Sequence, residues 1–307
     1  MIRRSAGYAL LLCVFILSEQ TVGYGADLTV AVLKSEGNFP VEDILTGFKM
    51  EMQENSIAIR LTHVEGGNDF DNIFSQITRV KPDMLICVGV KALEQAARIK
   101  NIPVLYSMVT QENARPWSAR EGILGISLDI APLLQFRIMR QAMPSSKRIG
   151  VFYDPDHNQK LIDEAKKAAA ETGFSLVALP VRTIREIPSA LENLEHRVDI
   201  LWTIYDPSAY TPESTRYILL QALRKKIPVV GLSPHFAKAG ALLAIYGDYT
   251  DMGRQLALQA IVLSKRGEPA PRIWRPRKAR IAINEKVGRM MDIDFSSQFL
   301  KTVHQTY

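Results

Sequence analysis

The chain holds only two cysteines in 307 residues, Cys13 and Cys87. Cys13 lies in an apolar amino-terminal run that reads as a removable leader, which excludes an intrachain disulfide and leaves stability to packed cores. Cys87 sits in an apolar, strand-like segment and reads as a small core hydrophobe rather than a reactive thiol. Beyond the amino terminus no segment supplies the ~20 consecutive apolar residues of a membrane-spanning helix. Motifs are missing too: there is no G-x-G-x-x-G after a strand, no G-x-x-x-x-G-K-[ST], no H-E-x-x-H and no G-x-S-x-G. The nucleotide-binding, zinc-hydrolase and serine-hydrolase templates therefore lack their residues. The five histidines, His63, His157, His196, His235 and His304, never stand at a helical ligand spacing from one another. No metal and no cofactor is expected.

At the amino terminus, Arg3 and Arg4 precede an apolar segment from Tyr8 to Leu17, and Gly23-Tyr24-Gly25 offers small residues for a cleavage site. This is the pattern of a secretory signal peptide over residues 1–25, so a periplasmic location is expected. The formal charge is +6, and much of the excess falls late, in Lys265, Arg266, Arg272, Arg275, Arg277, Lys278 and Arg280. Interleaved with Pro269, Pro271 and Pro276, that run reads as a solvated linker, and no nucleic-acid partner is expected of an exported chain.

What the sequence does contain is a repeat. Ile102-Pro103-Val104-Leu105 is echoed by Ile227-Pro228-Val229-Val230, each preceded by a basic helix end and each closing on a hydroxyl residue, Thr110 and Ser233. Unalternating apolar runs between helices read as parallel strands buried on both faces. The echo extends upstream, pairing Met84 to Val90 with Ile200 to Tyr205, Leu28 to Lys34 with Arg148 to Asp154, and Ile57 to Val64 with Phe174 to Val181. Helical segments separate them at 41–54, 70–80, 92–100, 132–142, 157–172, 186–196, 213–225 and 251–266. Strands alternating with helices throughout predict an α/β fold of two Rossmann-like lobes with parallel sheets. Ile123 to Asp129 is expected to leave the first lobe, Ala241 to Tyr249 to return to it, and the proline-rich stretch to form a third crossing. Lobe 1 is thus expected over 26–123 plus 250–307 and lobe 2 over 124–249, joined by a multi-crossing hinge.

Ligands of parallel α/β sheets sit beyond the carboxyl ends of the strands. That rule nominates Ser35, Lys91, Thr110, Asp206, Ser233 and Asp248. Asp206 follows an apolar strand and precedes Pro207, so its carboxylate either meets a ligand ammonium or hydroxyl or caps the turn into the Pro212 helix. Asp248 carries the same two readings at the hinge. The hydroxyls of Thr110 and Ser233 suit a carboxylate or phosphate, and equally suit capping the next helix. Lys91 either contacts an anion or is solvated at a helix start. Tyr205, Tyr210, Tyr246, Tyr249 and Trp202 supply either a stacking surface or core. Gly66-Gly67 with Asn68-Asp69 reads as a turn and a helix cap rather than an anion cradle.

In this order the motifs resemble the ABC transporter substrate-binding proteins of the type I periplasmic-binding-protein fold, in the group that includes tryptophan- and tyrosine-type amino-acid binders. The resemblance is carried by Val30-Ala31-Val32, Pro82-Asp83-Met84-Leu85-Ile86, the two Ile-Pro-Val strands, Lys147 to Pro155 and Val198-Asp199. Its most specific part is Lys238-Ala239-Gly240-Ala241-Leu242 leading to the run from Gly247 to Gln255. It spans Leu28 to Pro269 and departs at two places. The third strand ends in Gly89-Val90-Lys91-Ala92 where the family has a small or hydroxyl-bearing run. Tyr205-Asp206-Pro207 stands for the family's Thr-Asp-Asn, keeping the carboxylate and losing the amide. The resemblance implies a non-enzymatic, monomeric, exported protein that closes on a small polar ligand, an amino acid or related compound, and presents it to a membrane permease. It implies Asp206 as the ammonium partner. The same cleft would also serve a sensor that signals to a membrane receptor or kinase. An α/β enzyme would need a titratable pair, for which Asp206 with His235 and Asp154 with His157 are the candidates.

Overall fold

The computed structural model describes residues 28–307 apart from positions 38, 68, 118, 266 and 268–270. The expected leader over 1–25, with Cys13, and the positions Asn68, Arg266 and Pro269 lie outside the described residues.

The first half alternates strand and helix: β1 (Leu28–Lys34), α1 (Val41–Glu54), β2 (Ile59–Val64), α2 (Phe70–Val80), β3 (Met84–Val88), α3 (Val90–Ala96), β4 (Val104–Val109), α4 (Gln111–Ala114) and β5 (Ile123–Ser127). The second half repeats the alternation: α5 (Pro132–Ala142), β6 (Arg148–Tyr153), α6 (Pro155–Glu171), β7 (Ser175–Pro180), α7 (Ile187–Leu194), β8 (Ile200–Trp202), α8 (Pro212–Arg224), β9 (Val229–Gly231), α9 (Pro234–Ala239) and β10 (Leu243–Gly247). The chain closes with α10 (Tyr249–Ser264), β11 (Ile273–Trp274), β12 (Ala279–Ile283), α11 (Glu285–Met291), α12 (Ser297–Leu300) and β13 (Gln305–Thr306).

The strands form two sheets, ordered β11-β5-β4-β3-β1-β2 and β13-β12-β10-β9-β8-β6-β7. The blocks β5-β4-β3-β1-β2 and β10-β9-β8-β6-β7 are one arrangement made twice, parallel throughout. Strands that echo each other in sequence therefore occupy equivalent places in space. β3 is buried at every residue, as its unalternating Met-Leu-Ile-Cys-Val requires in a sheet covered on both faces. Each sheet is sandwiched between two cores: Ile44, Phe48, Ile86 and Leu256 on one side of the first sheet, Ile73, Cys87, Leu93 and Tyr106 on the other. The second sheet packs Phe136, Ile162, Trp202 and Ile283 on one side and Phe152, Leu194, Ile218 and Val229 on the other. Cys87 is fully buried and burial pushes its thiol pKa up, so it is inert packing material.

Strand pairing divides the chain differently from the expected boundaries. β5 stays in the first sheet beside β4, so the chain crosses after Ser127 rather than before Leu124. β12 pairs antiparallel with β10, and β13 pairs with β12, which puts the carboxyl-terminal segment in lobe 2 rather than lobe 1. Among the described elements that follow β10, α10 and β11 return to lobe 1, α10 against α1 and β11 against β5. The physical reason is symmetrical opportunity. β5 and β10 each end a five-strand block with an edge that one further strand can complete, and the short strand Ala279–Ile283 carries no local signal of which edge it will take.

Candidate functional site

The carboxyl ends of both sheets open on one cleft of about 680 Å³, walled by lobe 1 on one side and lobe 2 on the other. Ser35, Lys91, Thr110 and Asp206 line it, as the strand-end rule predicts.

On the lobe 1 wall the backbone is arranged closely. The Oγ of Ser35 accepts the Ala92 N–H at 2.9 Å, tying the end of β1 to the first turn of α3. This approach needs Gly89, which adopts φ +95° and where a Cβ would stand 2.6 Å from that oxygen. The same glycine starts α3 at Val90, two residues before the expected Ala92. Lys91 is exposed at the cleft edge. Thr110 caps α4, its Oγ1 accepting the Asn113 N–H at 3.2 Å. Met108, which the strand-end rule did not nominate, also lines the cleft. It adopts φ +60° at a register shift between Ser107 and Val109, a bulge that breaks the alternation of β4. A non-glycine residue in the left-handed region is uncommon and concentrates at binding sites. No sequence pattern announces it.

The lobe 2 wall is held by a buried carboxylate network. Asp206, 3% exposed, accepts the Asp154 N–H at 2.6 Å and the Asn158 side-chain amide at 2.9 Å on Oδ2, and the Ser208 N–H at 2.9 Å on Oδ1. Asp154 in turn accepts the Asp156 N–H at 2.9 Å, the Ser208 hydroxyl at 2.9 Å and His157 Nδ1 at 3.1 Å. Burial pushes the Asp154 carboxyl up, and these hydrogen bonds outweigh it, leaving the pKa lowered. The hydrogen bond to Asp154 raises the pKa of His157. Of the two titratable pairs considered for an enzyme, Asp154 and His157 meet, whereas the partners of Asp206 do not include His235. The Ser208 hydroxyl donates to the Asp154 carboxylate rather than to the imidazole, so it is not held as a nucleophile that His157 would activate. Tyr205 and Tyr210 complete this wall, with the Tyr205 hydroxyl donating to the Leu232 carbonyl at 3.3 Å. Burial raises both phenols.

Ser233 and Asp248 do not line the cleft. Ser233 stands at the start of α9 while its neighbours Leu232 and Phe236 face the opening. Asp248 caps α10, accepting the Asp251 N–H at 3.1 Å, and pairs with Arg280 at 3.0 Å. Its role is in the hinge. Arg275, Arg277, Lys278 and Arg280 of the late basic run belong there too, and are not merely solvated. Arg277 reaches Asp251 with Nε at 2.9 Å and Lys278 reaches the same carboxylate at 3.1 Å. Burial pushes Asp251 up, but these cations hold its pKa below the ordinary value. Arg275 pairs with both carboxylate oxygens of Glu164 on α6 and donates to Gln111 Oε1 of lobe 1 at 3.1 Å. Arg275, Arg277 and Lys278 thus pin the crossover. Among the described residues no cluster of His, Cys, Asp and Glu fits a metal ion, and no helix is long and apolar enough to cross a membrane.

The chain can be set beside known proteins on this geometry. None of the curated proteins matches it. A ligand-free, open substrate binding protein with adhesive properties from Clostridium difficile superposes with a TM-score of 0.69 at 20% identity, covering 90% of this chain and 98% of that one. An ABC domain from Streptococcus pneumonia, in complex with L-Trp, gives 0.60 at 18% identity over 92% and 100%. These likenesses are of fold, and they agree with two α/β lobes facing across a cleft as in type I periplasmic-binding proteins. The family model of ABC transporter substrate binding proteins matches residues 43–306, nearly all of both lobes, and the chain belongs to that family.

Proposed function

We propose that the protein is the extracytoplasmic solute-binding component of an ABC importer, exported by its amino-terminal leader and working as a monomer with a membrane permease. The observation that carries this reading is that one cleft takes its walls from both lobes at their strand ends, with three chain crossings and a pinned crossover behind it. A ligand touching both walls favours the closed arrangement, so occupancy becomes a shape that a permease can read. Ser35, Lys91, Thr110 and Asp206 are the proposed ligand contacts, with Met108 and Tyr205 as apolar walls. The ligand is a small polar solute, with amino acids and related compounds first in line because a structural neighbour carries L-Trp. The reading involves no covalent chemistry.

The test is a thermal-shift screen of the mature protein against amino acids, nucleosides, purines, peptides and short carboxylates. A ligand at 100 times its Kd adds about 2.7 kcal/mol of stability. A hit accompanied by compaction in small-angle scattering supports closure. Turnover of a hit, or binding with no change of shape, overturns the reading.

A further inference from the structure

Two helices approach each other where the lobes meet, α4 of lobe 1 and α6 of lobe 2. His157, Leu161 and Glu164 stand at i, i+4 and i+7 along α6 and so share one face of it. Each of the three meets lobe 1 or a crossover. Glu164 is joined through Arg275 to Gln111, the first residue of α4. Leu161 lines a small cavity with Leu128 and Asp129, where the chain leaves β5. His157, about 10 Å further along α6 from Glu164, lines the cleft with Glu112, the second residue of α4, which attracts the imidazole from the opposite wall. We propose that Glu112 and His157 form a proton-gated latch, an ion pair across the cleft that draws the lobes together when the imidazole is protonated and releases them when it is neutral. This rests on the reading that the lobes close over the cleft, and adds a control on closure that needs no solute.

The two side chains are placed for this. Nδ1 of His157 is hydrogen-bonded to Asp154 at 3.1 Å, which fixes the ring and leaves Nε2 as the second donor of the imidazolium. The His157 side chain is 57% exposed and that of Glu112 34%, so neither must be stripped of much water to meet the other. Each is now paired within its own lobe, His157 with Asp154 and Glu112 with Arg115 at 3.0 Å. Arg115 is exposed on the same turn as Glu112, a pairing that contributes little, and a carboxylate accepts a second donor. The hydrogen bond to Asp154 does most to hold the proton on the ring, with Glu112 and Asp206 adding to it and burial opposing it. Asp154 and Asp206 belong to lobe 2, as do Asp156 with its partner Arg182 and Lys160 at the start of α6, so all of them travel with His157. Closure changes its distance to the charged groups that lobe 1 presents to the cleft. Of these Glu36 and Glu112 attract an imidazolium and Lys91 repels it. Two carboxylates against one ammonium make the closed arrangement the better proton binder, and by linkage the proton favours closure.

Small-angle scattering of the ligand-free protein at about pH 5.5 and about pH 8.5, on either side of the imidazole range, tests the latch. Wild type is expected to be more compact at the lower pH, its closed-to-open ratio higher by up to about fivefold, the size of an exposed ion pair. Glu112→Gln and His157→Gln should each keep one radius of gyration at both pH values. His157→Lys, a cation at both, should stay compact throughout. Neither side chain is buried, so these variants keep the fold. In proton NMR the His157 imidazole should titrate lower in Glu112→Gln than in wild type, a shift that a merely structural Glu112 would not produce. The latch is overturned by a wild-type radius that ignores pH, by a pH response that survives in Glu112→Gln or His157→Gln, or by an imidazole midpoint indifferent to Glu112→Gln. No solute enters these measurements, so such a result leaves the solute-binding reading to its own thermal-shift test.

Discussion

Arg275 grips Glu164 with two guanidinium nitrogens and Gln111 with one, so a single side chain in the third crossover joins α6 of lobe 2 to α4 of lobe 1. A planar fork meeting a carboxylate is the geometry in which an arginine ion pair is strongest, and the Arg275 side chain is 23% exposed. Glu164 is 41% exposed, and solvent screening discounts the pair accordingly. Arg275→Ala is expected to lower stability by about 1–2 kcal/mol and to widen the spread of lobe orientations in the ligand-free protein. Urea denaturation and small-angle scattering check the two effects. An unchanged midpoint together with an unchanged radius of gyration would mean that the crossover is held by its other ion pairs alone.

Return of the chain to lobe 1 depends on two glycines. A Cβ on Gly253 of α10 would stand 1.9 Å from the Ile44 carbonyl oxygen, and one on Gly47 of α1 would stand 1.8 Å from the Thr250 carbonyl oxygen. Both obstacles are backbone, so the helices themselves must separate to admit even a methyl group. Gly253→Ala is expected to cost about 2–3 kcal/mol, read as a fall in thermal midpoint. The Gly47→Ala, Gly253→Ala double variant should cost less than the sum of the two singles, because one separation of α1 from α10 relieves both clashes. Full additivity would show that the two contacts are independent.

How far the sequence is readable follows from which signals are local. α1, α2 and α5 fall at their expected residues because each carries its own periodicity, and α2 adds its own cap, with Asp69 accepting two N–H groups. The repeat of strands was legible because both copies must be buried on two faces, which forces apolar runs wherever they occur. Edge choice was not legible: β12 joined lobe 2, and nothing in Ala-Arg-Ile-Ala-Ile distinguishes the edge of β10 from the edge of β5. At the cleft, strand ends located Ser35, Lys91, Thr110 and Asp206 because the rule concerns topology. Asp248 met its capping alternative, and Met108 escaped notice because its place depends on a bulge rather than on a residue type. The Pro-flanked arginines also escaped, since ion pairs between Arg277 and Asp251 across 26 positions leave no local pattern.

Asp206 has a structural role that is separable from any ligand. Three donors, two backbone N–H groups and the Asn158 amide, point at its buried carboxylate. Asp206→Ala leaves these donors unpaired, at about 1–3 kcal/mol for a buried group that loses its partner. The ligand-free protein should therefore lose stability on this substitution, and the loss should be larger with ligand present, because the variant also forfeits the stabilisation that binding supplies. Asp206→Asn keeps an acceptor oxygen and should recover part of the loss. If Asp206→Ala denatures at the wild-type midpoint while ligand affinity collapses, the carboxylate is a recognition group alone and the network is incidental.

The pH dependence of the lobe 2 wall turns on His157 and Asp154. His157 gains a hydrogen bond to Asp154, with further attraction from Glu112 on the opposite lobe and from Asp206, so its folded pKa lies above 6.5. A raised imidazole pKa contributes stability that is fully present below about 6.5 and is lost as pH rises through the folded value. Asp154 is shifted the other way: burial raises it, its hydrogen bonds outweigh burial, and the folded pKa falls below 3.8. Its contribution is present above about 3.8 and disappears as pH falls through the depressed value. The pair therefore supports the fold best between these limits, and wild type should lose thermal stability between about pH 6 and pH 8 more steeply than His157→Gln. A proton NMR titration of the imidazole reads the cause directly, with a midpoint above 6.5 that drops back towards 6.5 in Asp154→Asn. A His157 that titrates at 6.5 in both proteins would remove the hydrogen bond as the source of the effect.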